Sequence, residues 1–131
     1  MSARGRRALC VAALLAVGTS CGGARNSLNT TASPCFRALP VADDAVHRKG
    51  RLVGVRVIET RELVHKVPDA AGLGHRRLCG VAYRDDYTSG DVRGAEPGHA
   101  GRYALVLVDD AQRVVAAFVL EDLPMRFSHR V

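Results

Sequence analysis

The chain has 131 residues, a formal net charge of +6, 47% apolar and 24% charged residues, and 5% aromatics with no Trp. That balance is ordinary for a globular protein and excludes wholesale disorder, and the length suits one domain better than two. No apolar run reaches the roughly 18 residues of a spanning helix, and any core must be built from Val, Leu and Ala.

The N-terminus has three parts in order. Arg4, Arg6 and Arg7 form a basic start, residues 8–17 are an apolar stretch, and Gly18, Thr19 and Ser20 precede Cys21. This is the order of a secretory signal, in which charge stays cytoplasmic while a short apolar helix enters the translocon. Ten helical residues rise about 15 Å, half of a roughly 30 Å hydrocarbon core, so the stretch is too short to span. It is apolar on every side, whereas a buried N-terminal helix would carry an amphipathic period. Residues 1–20 are therefore read as a signal peptide. The pair Arg6 and Arg7 is followed by Ala8 and Leu9, a poor match to twin-arginine export, so a Sec route is expected.

The small residues before Cys21, with Gly22 and Gly23 after it, resemble the lipobox of bacterial lipoproteins. The resemblance covers residues 1–23. It implies that Cys21 becomes the first residue of the mature chain and carries diacylglycerol on its sulfur. Gly18 stands where the pattern usually has Leu or another aliphatic, so cleavage and secretion is the alternative. Lipidation would add two or three acyl chains, enough for stable attachment at about 0.8 kcal/mol per buried CH₂. Residues 21–33 then form a flexible tether, since GGARNSLNTTAS is polar and has no periodicity. Its sequon at Asn29, Thr30 and Thr31 reads as linker in a bacterial chain.

Without Arg4, Arg6 and Arg7 the 19 basic residues fall to 16 against 13 acidic ones, a net of +3. The remaining cations are scattered, at Arg48, Lys49 and Arg51, at Arg76 and Arg77, and at Arg126 and Arg130. No aromatics interleave with them, so no nucleic-acid partner is expected. An envelope protein or an anionic polymer or headgroup suits an anchored cationic domain better. Seventeen of the 19 basic residues are Arg, a bias that reads first as a GC-rich genome.

Of the four Cys, Cys10 leaves with the signal and Cys21 is claimed by lipid or by the cleavage site. Cys35 and Cys79 remain, an even pair read as one disulfide in an oxidising compartment. If Cys21 is not lipidated, an odd cysteine is left and the pairing is open. The five His lie in separate segments, and no C-x-x-C or H-E-x-x-H occurs, so neither a metal nor a cofactor is expected.

Pro34 suits a helix start and Pro40 would break one continuous helix, so a short turn through Cys35 and Phe36 precedes a helix over about 40–49. Asp43 and Asp44 lie in its first turn, His47, Arg48 and Lys49 in its last, and Gly50 follows, in agreement with the helix dipole. Leu39, Ala42 and Val46 share one face. Residues 51–60 alternate through Val53, Val55 and Val57 and predict a strand. Pattern resumes briefly at Leu63 and Val64, and residues 68–77 read as loop. Residues 78–84 predict a second strand, with Cys79, Val81 and Tyr83 on the face towards the helix. Residues 85–101 read as a long loop, mobile or functional. Strands over 102–108 and 114–120 flank a turn at 109–113 as a hairpin, both apolar enough to be central and covered on both faces. Leu123 and Pro124 end the sheet, and residues 125–131 read as a cationic tail.

The expected fold is α+β, with one N-terminal helix packed on a small, mostly antiparallel sheet of about four strands, in a single domain over 34–131. Its element order and its VLVDD…RVVAAF hairpin resemble PepSY-type extracytoplasmic modules, which implies at most a binding or inhibitory role. The segments CFRALP, GVAYR and LEDLPMRF are similar to an uncharacterised bacterial lipoprotein family with no chemistry to carry over. No G-x-S-x-G, phosphate loop or paired-carboxylate motif is present. Asp85 with Asp86, and Glu121 with Asp122, read as turn chemistry, and no enzyme is expected.

The function expected is therefore an exported, membrane-anchored lipoprotein acting as a small binding or accessory module of the cell envelope. The alternative is a small envelope hydrolase pairing His129 or His99 with Asp85 or Asp86, which requires those groups within hydrogen-bond reach in a concave pocket. A lipoprotein with a purely structural or stress-related role is the third reading.

Overall fold

The computed structural model describes residues 34–127. The expected signal peptide and tether, with Cys10 and Cys21, lie outside the described residues, as does His129 of the C-terminal segment 128–131. Four strands, β1 (Arg51–Glu59), β2 (Arg77–Thr88), β3 (Ala100–Val108) and β4 (Val114–Leu120), form one sheet in the order β1-β2-β3-β4. Every neighbouring pair is antiparallel. With its few short helices the chain is α+β.

Residues 104–108 of β3 are all fully buried. Alternation sends Ala104, Val106 and Val108 into one core and Leu105 and Leu107 into another on the opposite face. A sheet buried on both faces needs a covering layer on each. The first is a 3₁₀ turn, Pro34–Ala38, running into helix α1 (Leu39–Ala45). Its small inward residues Ala38, Ala42 and Ala45 let it lie close against Val81, Tyr83, Val106 and Val119. The Tyr83 hydroxyl donates to the Asp43 carboxylate and locks α1 to the sheet. Burial, then that hydrogen bond, pushes the Tyr83 phenol above its ordinary range.

Helix α1 is shorter than the expected 40–49. His47 and Arg48 adopt left-handed φ of 54° and 58°, and Gly50 follows at 88°. The dipole-complementary basic residues thus form the turn after the helix. Two contacts impose this ending. Arg93 N–H caps the Ala45 carbonyl at 2.8 Å, and a Cβ on Gly50 would lie 2.1 Å from the Tyr87 hydroxyl oxygen. That hydroxyl donates to the Lys49 carbonyl at 2.5 Å, so the chain must fold tightly over Tyr87 to enter β1.

The second layer replaces an expected loop. Helix α2 (Thr60–Val64) and a 3₁₀ turn (Pro68–Leu73) carry Leu63, Val67 and Ala70 onto Ile58, Leu78, Leu105, Leu107 and Phe118. Burying a side chain such as Leu63 or Ile58 stabilises by about 1.5–3 kcal/mol. The expected tail also belongs here through residue 127. Phe127 is buried in this core, and Met125 packs against it. Lys66 Nζ donates to the Pro124 carbonyl, and an Arg56 guanidinium N–H to the Arg126 carbonyl at 3.0 Å.

Three further expectations are corrected by register. A bulge between Leu52 and Gly54 sends Val53 into the second core while Val55 packs against the first, so the two do not share a face. An irregularity between Arg84 and Tyr87 lets β2 run on to Thr88, so Asp85 and Asp86 lie in a strand and the loop begins later. Tyr87 and Val92, within the expected loop, are buried. Finally, β4 is an edge strand because β1 pairs only with β2, and Val114, Val115 and Ala116 stay half-exposed. The β3–β4 turn is closed by Gln112 N–H to the Asp109 carbonyl at 3.0 Å, with Gln112 left-handed at φ 59°.

Cys35 and Cys79 form a disulfide, with Cα atoms 5.3 Å apart and the two residues 44 positions apart in sequence, tying the start of the α1 layer to β2. The neck of the excursion between β1 and β2 is closed by Thr60, which is fully buried. Its hydroxyl donates to the Gly74 carbonyl and accepts the Arg76 N–H at 2.8 Å, while its own N–H reaches the Arg76 carbonyl at 2.9 Å.

Opening the disulfide in a Cys35→Ser/Cys79→Ser variant is expected to cost about 4 kcal/mol from the chain entropy of the released loop; a urea midpoint unchanged from the parent would refute this. Thr60→Val keeps the shape and deletes the hydroxyl, so it should cost about 1–3 kcal/mol with an unchanged m-value, and a loss below 0.5 kcal/mol would mean that the neck is closed by packing alone.

Candidate functional site

The neck that Thr60 closes also walls a cavity. Glu59 ends β1, Arg61 lies in α2, and His75, Arg76 and Arg77 return the chain to β2. With Thr60 these residues enclose about 310 Å³, at the small end for ligand pockets. Residues distant in sequence meet here because β1 and β2 pair with Glu59 directly opposite Arg77. Both ends of the intervening excursion must therefore leave the sheet side by side.

Its charges do not cancel. Arg61 Nε lies 2.9 Å from a Glu59 oxygen, the one carboxylate in the wall. Arg76 makes a long ion pair with Asp109 at 4.0 Å. Asp109 is already held by Arg113, through its N–H at 2.9 Å and its guanidinium at 3.0 and 3.1 Å. The Arg113 N–H first, then its side chain, keep the Asp109 carboxyl below the usual carboxylate range. Among the described residues the Arg77 and His75 side chains make no ion pair or hydrogen bond. The wall thus carries three guanidiniums and one carboxylate, and the donors in excess face solvent.

A second cavity of about 320 Å³ lies at the other end of the β1–β2 pair, lined by Arg51, Arg84, Asp85, Asp86 and Arg102. Arg51 and Arg84 stand opposite one another in register. Arg84 sits 6.0 Å over the Tyr103 ring, and Arg102 pairs with Glu121 at 3.1 Å and Asp122 at 4.0 Å. Arg102 thus lines the cavity beside one acidic pair singled out in the sequence, Asp85 with Asp86, and makes ion pairs with the other, Glu121 with Asp122. With Asp85 and Asp86 in the wall and Glu121 and Asp122 on Arg102, four carboxylates stand against three arginines, so no excess of positive charge is left to draw an anion.

The His–Asp pairing needed for a hydrolase is not assembled in that cavity, since none of its lining residues is a His. His99 lies instead beside Asp69 and Glu96, their ligand atoms within 4.8 Å of one another. All three side chains are exposed, an ordinary arrangement for surface loops. Cys35 and Cys79 are brought together, whereas Cys21 lies outside the described residues.

Comparison with known proteins finds no matching family model, curated protein or solved structure. The chemistry of the chain therefore rests on its own residues. No described helix is long and apolar enough to cross a membrane.

One polar cluster is structural. Lys49 Nζ donates to the Asp86 carbonyl at 2.6 Å and the Asp91 carboxylate at 3.1 Å, 5.4 Å from the Tyr87 ring centroid. Asp91 also accepts the Thr88 N–H at 2.8 Å and hydroxyl at 3.0 Å. The Thr88 N–H, then Lys49, hold its carboxyl down to about 2. Burial, with Asp85 and Asp91 nearby, pushes the Tyr87 phenol up to about 12.

The basic cavity was missed because Arg61 and the Arg76–Arg77 pair are separated by an excursion read as loop. The usable signal was topological, since residues flanking two paired strands must be neighbours.

The lowered carboxyl of Asp91 sets an acid-side test. A depressed carboxylate contributes stability above its unfolded value of 3.8 and loses it as pH falls towards about 2. The stability difference between the protein and an Asp91→Asn variant should therefore be constant from about pH 7 to 5 and shrink between about pH 4 and 2. Urea midpoints across that range check it, and a pH-independent difference would refute it.

Proposed function

We propose that the protein is an exported, lipid-anchored module of the bacterial cell envelope that binds a partner rather than transforming a substrate. The observation that carries this reading is the pairing of Cys35 with Cys79. Once a signal ending at residue 20 is removed and Cys21 is acylated, these are the two cysteines left, and a disulfide persists where the compartment is oxidising. The leader, with its basic start, short apolar stretch and lipobox-like Cys21, supports the same location. Residues 21–33 serve as the tether, and residues 34–131 form one α+β domain with an N-terminal helix packed across one face of the sheet.

In this reading the work is done by surface complementarity. The basic cavity suits an anionic envelope component, whether part of a protein or of a polymer. Cofactor, metal and nucleic acid play no part. The PepSY-like order of elements agrees with a binding or inhibitory role. Cleavage without acylation gives the secreted form of the same module.

Intact mass of the protein recovered from the membrane fraction tests this. The expected species lacks residues 1–20, carries diacylglycerol on Cys21 and has lost the two thiol hydrogens of Cys35 and Cys79. A bridged species cleaved but not acylated would replace the anchor by secretion. A species keeping Met1 and free thiols would overturn the proposal.

A further inference from the structure

We infer that the cavity walled by Glu59, Arg61, His75, Arg76 and Arg77 is a binding site for a phosphate group carried on a small or chain-like molecule. The inference deepens the binding-module reading and rests on it for the source of the phosphate; the site itself stands on the cavity alone.

Three features decide the ligand class. The first is charge. Three guanidiniums face one carboxylate, Glu59, which is engaged with Arg61 at 2.9 Å. The further acid that Arg76 reaches, Asp109, is already paired with Arg113 at 3.0 Å. The wall therefore holds about two positive charges in excess, matching a phosphate group of about −1 to −2.

The second is donor geometry. A guanidinium presents five N–H donors in a planar fork. Arg61 spends part of its fork on Glu59, Arg76 makes one long ion pair with Asp109 at 4.0 Å, and Arg77 is without a side-chain partner among the described residues. Guanidiniums carried from three backbone positions around one cavity suit a tetrahedral phosphate, whose free oxygens do not all lie in the plane of a single fork. A planar carboxylate is satisfied by one such fork.

The third is preorganisation. Arg61 and Arg76 flank the Thr60 clasp, whose hydroxyl holds the Arg76 N–H at 2.8 Å, and Arg77 is fixed by its pairing with Glu59 across β1 and β2. The backbone carrying the guanidiniums is thus set before any ligand arrives, which lowers the ordering cost of binding. The second cavity is the internal contrast. It also has three arginines, but its wall carries two carboxylates, Asp85 and Asp86, and its Arg102 is paired with Glu121 and Asp122.

The test is calorimetric titration of the full protein with inorganic phosphate, glycerol phosphate and acetate at low salt. Parallel co-sedimentation uses phosphatidylcholine vesicles with and without phosphatidylglycerol. The variants are Arg61→Gln/Arg77→Gln and, as a control from the second cavity, Arg102→Gln. Phosphate and glycerol phosphate should bind at least about tenfold more tightly than acetate, with affinity falling as salt rises. The double variant should lose at least about tenfold while keeping the parent's urea midpoint within error, and Arg102→Gln should bind like the parent. A gain on phosphatidylglycerol vesicles beyond that on soluble glycerol phosphate assigns the phosphate to a headgroup, and equal affinities assign it to a soluble or polymeric phosphate. Absence of phosphate binding, equal affinity for acetate, or equal losses in both variants would overturn the site. Phosphate binding by a chain that keeps its leader and free thiols would leave the site standing and sink only the envelope source.

Discussion

A strand with no face open to water is the constraint that organises the molecule. Residues 104–108 of β3 send alternate side chains into two separate cores. Neither core can close with the sheet alone. One is completed by α1, the other by the excursion between β1 and β2 and by Phe127 near the end of the described chain. The three-layer arrangement, the tight ending of α1 over Tyr87 and the clasp at Thr60 all follow from that need. So does the basic cavity, since an excursion that leaves and rejoins adjacent strands must have a neck.

The elements that were legible in the sequence are those whose hydrophobic pattern is local and strong. The strand over 114–120 is found at those bounds, and the antiparallel hairpin around residues 109–113 rests on two apolar runs and a polar turn. What was not legible depends on register or on short-range helicity. Val53 reads as a partner of Val55 by period two, but one bulge residue reverses its face. Leu63, Val67 and Ala70 have helical spacing, yet Pro68 interrupts it, and the segment resolves into two turns too short to announce themselves. Tyr87 stood among Asp, Ser and Gly, and its burial comes from the Gly50 turn folded over it, a contact 37 residues away.

The same limits apply to the candidate site. Composition showed an excess of Arg but could not say which cations lack acids nearby. Pairing of Glu59 with Arg77 in the β1–β2 register is what gathers Arg61, Arg76 and Arg77, and the compensation at Arg102 comes from residues 19 and 20 positions downstream. The two lysines show a complementary division of labour. Lys49 and Lys66 both end on backbone carbonyls, at Asp86 and Pro124, and act as structural clasps. The cations presented to solvent at the neck are all arginines.

The bridge between Cys35 and Cys79 has a mechanical consequence. It sits at the N-terminal border of the described chain and ends on an interior strand. A pull applied ahead of Pro34 passes through the sulfurs straight into β2. Residues 36–78, which contain α1, β1 and α2, are thereby short-circuited and carry none of the tension. Stretching the molecule from its two ends would lengthen it only by the chain outside that covalent ring, so the elements enclosed by the ring are the ones best sheltered from load.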